Sequence, residues 1–388
     1  MNYLRRLLTR ANPFTHAKTR KFYLEIAAAI GAVIIVGLVV NALSPYRALP
    51  VVSFYESSET HFAYHRATVQ SVNAVDKRMT VIIRDGPDSD RTAKLPMPSY
   101  TKVTAGNTIV VANSSSSADY TFIDHYRLPG MMIMVAIFIM AVLLIGRKRG
   151  ASSMAGLVFS IGIIGVMIVP LILAGHDALW VCIGGAFLIA VASILIAHGF
   201  RRRTYISLAC ILFMLVFVAI AAELAVTLLQ LTGLADEYAG FLTTNEHSAA
   251  INLSGLLVGG IVIATLGVLD DIVTAQVATV DELMTANRKL PLRTIYKKAM
   301  SVGGEHIASL VNTLALVYAG TALPLILLIS SNTNDLFVFF NSEFVVTEVA
   351  RTIIASLALV AAVPMSTLAA SMWFHARATS NATTGDMV

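Results

Sequence analysis

Gly255–Asp271 reads GLLVGGIVIATLGVLDD, an apolar run that leads straight into two carboxylates. A helix needs about 20 predominantly apolar residues to cross the hydrocarbon of a bilayer, so this run predicts a membrane-spanning helix. Ionisable groups in or beside hydrocarbon are costly and usually face a cavity, a partner helix or water. The end of this helix, at Asp270 and Asp271, is therefore the first place to look for function.

The composition of the whole chain is that of a membrane protein. Of its 388 residues, 56% are hydrophobic and 13% are charged, and the mean hydropathy is +0.74, whereas soluble domains carry about 25% charged residues. We therefore expect an integral membrane protein whose first partner is the lipid bilayer. Cys182 and Cys210 both lie in apolar runs, which is typical of small buried hydrophobes and not of a disulfide framework.

The formal net charge is +5, and the basic residues cluster beside the apolar runs. Several precede the first run, and Arg147–Arg149 and Arg201–Arg203 separate later ones. An excess of Lys and Arg marks the cytoplasmic loops of a membrane protein. We therefore expect these charges to set the topology, and we predict no nucleic-acid partner.

Eight apolar segments are candidates for membrane spans. They lie near residues 24–43, 129–146, 153–173, 177–198, 204–231, 251–271, 302–330 and 347–374. The connections alternate between basic ones and acidic ones without Lys or Arg, and Arg351, at the outer start of the last span, is the one short-range exception. This pattern predicts a mainly α, polytopic membrane helical bundle of about eight transmembrane helices, with both termini in the cytoplasm. Val40–Ala42 resembles a signal-peptide cleavage site, but the length of the first apolar run favours an uncleaved anchor.

Residues 44–128 differ in kind from the apolar segments. The β-branched runs Ala67–Val72, Met79–Arg84 and Thr108–Ala112 are separated by Gly, Pro and Asn, which predicts short strands. The topology predicts that this small β-rich domain is extracytoplasmic, and an OB-like barrel and other small β folds both fit. Ser114–Ser117 is interpreted as a polar linker back to the membrane. The predicted domains are then residues 1–43 (basic cytoplasmic N-terminus and first helix), 44–128 (β-rich domain), 129–375 (seven-helix domain) and 376–388 (cytoplasmic tail).

The polar residues after Gly255–Asp271 allow two interpretations. On a continuous helix, Asp271, Thr274 and Glu282 fall near one face. A helix over residues 251–284 is about 50 Å long, however, whereas the hydrocarbon is only about 30 Å thick. Either the helix breaks between Gly267 and Asp270 and its polar turn lines a cavity, or its second half leaves the membrane with solvated carboxylates.

The next apolar segment repeats the combination of apolar and polar residues. Glu305 and Asn312 share a helical face, with Asn312 about 10 Å deeper than Glu305. Asn312 suits either a solute pathway or an interhelical hydrogen bond, and Glu223 in the fifth segment suits either a proton or cation site or a neutral structural acid. The candidates for a substrate or ion pathway are Asp270, Asp271, Thr274, Glu282, Glu305, His306, Asn312, Thr313 and Glu223.

Motifs for enzymatic chemistry are absent from the sequence. It contains no GxxxxGK[ST], HExxH, GxSxG or protein-kinase pattern, so we predict neither an enzyme nor a cofactor. His61 and His65 are four residues apart, which suits a metal ion only on a helix, and strands are expected there. The identity of any metal stays open.

A set of motifs resembles the YibE/F family of multi-pass bacterial membrane proteins. They are Gly260–Asp271, Val280–Leu283, Val302–Ser309, Val311–Leu314, Tyr318–Leu325, Tyr126–Pro129 and Gly146–Gly150. They occur in order over most of residues 45–375, and together they are quite specific. At Gly303-Gly304-Glu305, similar sequences commonly carry Gly-Arg followed by Asp, so this chain keeps the acid but lacks the cation. The resemblance implies a bacterial plasma-membrane protein and an important role for Asp270, Asp271, Glu305, Asn312 and Thr313, but it implies no substrate.

Three functions compete at this point. The leading hypothesis is a permease or transporter of a small solute or ion, possibly coupled to protons or cations, because carboxylate and amide oxygens suit both. The second is a membrane scaffold or accessory subunit that binds a protein partner through its external β-rich domain. The third, an intramembrane enzyme, requires Asp271 and Glu305 to share a proton at close range.

Overall fold

A computed structural model of the chain describes residues 62–73, 75–114, 120–235, 237–244, 251–332 and 335–385. The chain divides into two compact units, with a boundary between Ile145 and Gly146. The predicted first span at residues 24–43, its proposed cleavage site and His61 lie outside the described residues.

The β-rich unit is a five-stranded antiparallel sheet. Its strands are β1 (Phe62–Asn73), β2 (Arg78–Ile83), β3 (Thr92–Pro96), β4 (Thr108–Ser114) and β5 (Tyr120–His125). Their order is β3-β2-β1-β4-β5. The three β-branched runs lie in β1, β2 and β4, as predicted, whereas β3 and β5 were not identified from the sequence.

The sheet curls around an apolar core. Successive side chains alternate between its two faces, so Val69, Val81, Ile109 and Val111 all point inward and are buried. The two edge strands, β3 and β5, contact each other. This strand order with the edges brought together is that of a partly open, OB-like barrel.

The interpretation of Ser114–Ser117 as a linker back to the membrane is wrong. Ser114 is the last residue of β4, and β5 follows at Tyr120 and pairs with β4. The run therefore connects two strands of one sheet. A short polar segment looks the same in sequence whether it joins two strands or leaves a domain.

Helices form most of the rest of the described chain. They are α1 (Leu128–Ile163), a π-helical turn (Ile164–Ile168), α2 (Val169–Leu173), α3 (Ala178–His198), α4 (Arg202–Leu228), α5 (Glu237–Thr244), α6 (Leu253–Ala286), α7 (Leu292–Thr321), α8 (Leu323–Asn332), α9 (Leu336–Asn341) and α10 (Glu343–Gly385). Side-chain caps begin two of the long ones, since Asp177 accepts a hydrogen bond from Trp180 N and Asn252 accepts one from Gly255 N.

Five segments in the described chain are long and apolar enough to cross a membrane. They are Leu128–Leu173, Ala178–His198, Arg202–Leu228, Leu253–Ala286 and Glu343–Arg377. The first contains a non-helical residue, Arg147, with φ 48° and ψ −126°, where the sequence predicts a basic connection between two spans. Several apolar helices thus indicate a membrane protein, while the total of eight spans stays a prediction.

The structure of α6 distinguishes the two interpretations of its polar residues, a broken helix and a continuous helix that leaves the membrane. The helix runs without a break from Leu253 to Ala286, so of the two alternatives the one with a break between Gly267 and Asp270 is wrong. At about 1.5 Å per residue its 34 residues measure about 51 Å, which exceeds the thickness of the hydrocarbon. Part of this helix therefore extends beyond a bilayer.

Helix α6 is also the centre of the helical unit, because it contacts α3, α4, α7 and α10. The short connection Asn287–Pro291 makes α6 and α7 an antiparallel pair. Helix α7 ends at Thr321 and α8 begins at Leu323, so the apolar segment near residues 302–330 is divided between two helices.

A carboxylate clasp holds one end of this bundle. Glu343, the first residue of α10, accepts hydrogen bonds from the backbone N–H groups of Thr232 (2.7 Å) and Gly233 (3.0 Å) and from the Thr232 hydroxyl. Gly233 has φ +83°, and a Cβ there would lie 2.4 Å from the carbonyl oxygen of Leu253. The connection after α4 is thereby fixed against the starts of α6 and α10.

Candidate functional site

The two aspartates of α6 lie in different surroundings. Asp271 is exposed, whereas Asp270 is half-buried and its Oδ1 is a buried atom with no hydrogen-bond partner among the described residues. A buried carboxylate oxygen without a donor is costly. Of the two aspartates, Asp270 is therefore the one whose buried oxygen would be stabilised by a bound proton, cation or water molecule.

Asp271 faces the end of α3. Its carboxylate interacts electrostatically with the imidazole of His198, the last residue of that helix, and Arg149, Arg201 and Arg203 act on the same imidazole. Helix α3 has 21 residues, about 32 Å at 1.5 Å per residue, which is just enough to cross the hydrocarbon. Asp271 thus lies at the level where α3 ends, and this favours the interpretation in which α6 emerges from the membrane here.

A buried glutamine joins three helices below the aspartates. The Gln276 side chain on α6 is 0% exposed, and its Nε2 donates to Ala299 O on α7 and to Thr367 Oγ1 on α10, both at 2.7 Å. Thr367 in turn donates to Val363 O at 2.6 Å. Ser366 and Ser371 on α10 are also 0% exposed. We call the pair Gln276 and Thr367, with the backbone acceptor Ala299 O, the polar hub.

A glycine on α7 makes room for the hub. A Cβ at Gly303 would lie 2.4 Å from Val363 Cγ1 and 3.1 Å from both amide atoms of Gln276. Helices α6, α7 and α10 can therefore approach closely at this point because Gly303 has no side chain.

The contacts of Gln276 with α7 show which residues of α7 lie at the same level along the bundle as Asp270. Gln276 lies beside Ala299 and Gly303. Asp270 lies six residues from Gln276 along α6, about 9 Å, and His306 lies about 5–10 Å along the antiparallel α7 in the same direction. Asp270 and His306 are therefore at a similar level on neighbouring helices. His306 is half-buried, and its Nδ1 is a second buried atom without a partner among the described residues.

The other predicted residues of α7 point away from the hub. Glu305, Asn312 and Thr313 are exposed on the surface of the chain, and the Thr313 hydroxyl donates to Ser309 O of its own helix. In a bilayer, such a polar face must meet water or protein, since contact with lipid is costly.

Three further candidates do not join the hub. The Thr274 hydroxyl donates to Asp270 O at 2.7 Å, within its own helix, and Glu282 is exposed. Glu223 is exposed on α4 among outward-facing apolar residues that include Phe217 and Ile220. Glu223 therefore lies on a different surface from Asp270.

A second polar cluster lies toward the other end of α7 and α10. Arg351 Nη1 donates to Glu348 Oε1 at 2.7 Å, and both residues interact electrostatically with Tyr318 on α7. Arg351, the exception to the charge pattern, is thus neutralised by a carboxylate one turn away on α10. Since Gly303 meets Val363 and Tyr318 meets the residues near Arg351, α7 and α10 run antiparallel.

Among the described residues, His65 on β1 makes contacts only within the β-rich unit. His65 Nδ1 lies 3.7 Å from Asp85 Oδ1, and the His65 ring packs edge-on against Tyr120. In the described part of the chain, no three His, Cys, Asp or Glu side chains gather into a group able to hold a metal ion.

The sequence analysis names Asp270 and His306 as candidates, whereas the polar hub and His198 are visible only in the structure. Gln276 has no recognisable role in the sequence, because its importance depends on which helices surround it. The only signal for its partners was the run Ser366-Thr367 followed by Ser371 inside an apolar segment.

One comparison with known proteins gives a match. Residues 134–376 match the family model described as YibE/F-like protein. This range contains Asp270, the polar hub and His306. No curated protein and no solved structure matches the chain.

Proposed function

The chain belongs to the YibE/F-like family, and from this premise we propose that it is a membrane permease for a small solute or ion, coupled to protons or cations through Asp270. The family name supplies no substrate, so the proposal rests on the chemistry of the helical unit. A coupled carrier needs a group that binds and releases a proton or a cation at a position shielded from bulk water. A partly buried carboxyl group is such a group.

The observation that carries the proposal is the buried Oδ1 of Asp270, which has no donor among the described residues. A carboxyl group used only to join helices would direct both oxygens at donors, as Glu343 does at the clasp. Asp270 instead keeps one oxygen available for a proton or a cation. The His306 imidazole, at a similar level on α7, is a second group able to exchange a proton.

Charges around Asp270 support coupled movement. Asp271 lies next to it on α6, and His198 and the arginines at the ends of neighbouring helices lie beyond. Binding of a cation at Asp270 lowers the repulsion between the two aspartates. Release of that cation is favoured by the nearby positive charge, so the site is suited to repeated loading and unloading.

Flux through proteoliposomes tests the proposal. We expect the parent protein to move Na⁺, K⁺, Mg²⁺ or protons down an imposed gradient, and Asp270→Asn to lose at least about tenfold in rate, a difference of about 1.4 kcal/mol. Asp281→Asn is the matched control, because Asp281 is a half-buried acid on the same helix with no place in the hub. Equal flux in the parent and Asp270→Asn would exclude this role for Asp270.

One observation supports the alternative function, a membrane scaffold that binds a protein partner through the β-rich unit. In the β-rich unit, the Val75 side chain is 91% exposed and that of Tyr100 is 74% exposed, and exposed aromatic residues are enriched at protein interfaces. If the β-rich unit binds a protein partner, Val75→Ser with Tyr100→Ser in the full chain will abolish co-purification of that partner while Asp270→Asn retains it. The opposite pattern would argue against the scaffold.

A further inference from the structure

The side of α7 that faces away from α6 and α10 differs from the outer surfaces of the other long helices. Its buried residues, which include Ala299 and Gly303, meet α6 and α10. The opposite side is exposed, and its central residues are spaced alternately four and three apart: Ser301, Glu305, Ala308, Asn312, Ala315 and Ala319. We call these six residues the α7 seam. All of them are small or polar, whereas α4 presents large apolar residues such as Phe217 and Ile220 outward.

The α7 seam is poorly suited to contact with lipid. Helix α7 is not among the five segments of the described chain that are apolar enough to cross a membrane, yet it packs against α6 and α10, which both are. It therefore lies beside them in the bilayer. Glu305 is at the level of His306 and Asp270, and Asn312 is seven residues, about 10 Å, deeper. None of the hydrogen bonds and ion pairs in the described chain involves the side chain of Asn312 or Glu305. A polar group in this position needs a partner, since contact with hydrocarbon is costly.

The spacing of the α7 seam is that of a helix-packing surface. A repeat of alternately four and three residues keeps one line of side chains facing a second helix in a left-handed pair. Membrane helices pack in this way through small residues, because these let the backbones approach closely, and through polar side chains such as Asn, which bond across the interface. Ala308 and Ala315 alternate with Asn312 in this manner. Alanine gains nothing from water, so the pattern favours a helix over an aqueous channel as the cover.

The chemistry of Asn312 favours an identical helix as that cover. The amide carries both a donor and an acceptor, so the same side chain across a two-fold axis satisfies it. A single Asn in a heptad core is also the residue that defines the register and the number of strands of a parallel pair. The first apolar run of the chain, near residues 24–43, is a poor alternative. Between Glu25 and Asn41 it has no hydrogen-bonding side chain, so its middle has nothing to offer Asn312.

We propose that the α7 seam packs against the α7 seam of a second copy of this chain, as a parallel helix pair about a two-fold axis along the membrane normal. Such an axis brings the same patch of both copies together. Asn312 exchanges hydrogen bonds with the partner's Asn312, and Ala308 and Ala315 allow the close approach. The two Glu305 carboxylates come near each other at the level of Asp270, where like charges oppose the contact. The inference goes beyond the permease and does not depend on it.

Cysteine cross-linking of the full-length protein in proteoliposomes tests the contact. Two cysteines form a disulfide only when their Cα atoms lie within about 7 Å, so we expect Ala315→Cys to give a covalent dimer on oxidation. Val317→Cys is the matched control, because Val317 is 53% exposed but lies about 200° around the helix from Ala315. The parent should give no covalent dimer, since Cys182 and Cys210 are both buried. Equal yields from Ala315→Cys and Val317→Cys, or no dimer from either, would overturn the inference.

Energy transfer between labelled copies in bilayers of decreasing protein density measures the dissociation constant of the dimer. We expect Asn312→Ala to raise this constant about tenfold, because an interhelical hydrogen bond is lost, and Glu305→Gln to lower it, because repulsion is removed. Thr313→Ala is the control, since the Thr313 hydroxyl already donates to Ser309 O of its own helix. A monomeric parent, or equal constants for Asn312→Ala and Thr313→Ala, would overturn the inference. Ion flux by a monomeric parent would retain the permease and remove the dimer, whereas a dimer without flux would do the reverse.

Discussion

At the scale of single residues, the helical unit is organised by a few polar side chains whose partners come from other helices. Gln276 is the main example, because its two N–H groups are used by α7 and α10 while its oxygen is left free. A polar group of this kind in a membrane bundle contributes roughly 0.6–2 kcal/mol per interhelical hydrogen bond. It also defines which faces of the helices meet, and this places Asp270 and His306 at similar depths.

Gly303→Ala tests the close approach at the hub. The added Cβ would lie 2.4 Å from Val363 Cγ1, and overpacking of this kind costs about 1–3 kcal/mol. We therefore expect a lower midpoint of unfolding for Gly303→Ala in a denaturant titration in detergent. Gly304→Ala is the control, because nothing lies within 4 Å of its Cβ position and Ala favours a helix over Gly by about 1 kcal/mol. If the two variants have the same midpoint, the hub is not tightly packed.

The residue scale also shows the limit of sequence reasoning at the site. Two aspartates after an apolar run are visible because they violate the apolar pattern. A glutamine one and a half turns later gives no such signal, since it becomes special only when Ala299 and Thr367 are known to lie beside it. Likewise, exposure separates Asp271 from Asp270, although adjacent positions in sequence carry the same chemistry.

At the scale of elements, the decisive observation is the continuity of α6. A period of 3.6 residues places its polar side chains on a face, but periodicity does not reveal where a helix leaves the bilayer. The end of α3 at His198 supplies that information, because Asp271 interacts with it. The β-rich unit shows the same limit: strands β1, β2 and β4 were predictable from β-branched residues, whereas β3, with the sequence TAKLP, lacks that pattern and is defined by its pairing with β2.

A hydrogen bond between the connection after β2 and strand β5 predicts that the sheet is less stable at low pH. Asp88, after β2, accepts a hydrogen bond from the Tyr120 hydroxyl on β5 at 2.6 Å, and this bond, together with Arg91, lowers the pKa of the Asp88 carboxyl. Burial, together with the same bond, raises the pKa of Tyr120 to about 12. Because the folded pKa of Asp88 is lowered, its stabilising effect is complete above the unfolded value of about 3.9 and is lost as the pH falls through the folded value.

Hydrogen-exchange protection in β1 and β5 of the full-length protein measures this effect. We expect protection to fall as the pH is lowered below about 4, and Asp88→Asn to remove part of that dependence because it has no carboxyl group to protonate. Asp90→Asn is the control, since the Asp90 side chain is 81% exposed and lies 3.7 Å from Arg84. Identical pH profiles for Asp88→Asn and the parent would show that the Tyr120 contact does not stabilise the sheet.

At the scale of the whole molecule, the chain combines a small β-rich unit with a bundle of apolar helices and belongs to the YibE/F-like family. The membrane class and the presence of two kinds of structure were predictable because composition and periodicity change along the chain. The assembly of the bundle was not, because it depends on contacts between α6, α7 and α10 that are far apart in sequence. The account of function follows from that assembly, which leaves Asp270 Oδ1 buried without a hydrogen-bond donor among the described residues.

The central claim is that a proton or cation moves through the helical unit by way of Asp270, and the current after a jump in pH or cation concentration on a solid-supported membrane measures that movement directly. We predict a transient current with the parent protein that reverses sign with the direction of the jump. Asp270→Asn should abolish the current, and Asp281→Asn should preserve it. A parent protein that gives no current, or an Asp270→Asn variant whose current equals that of the parent, would contradict the account.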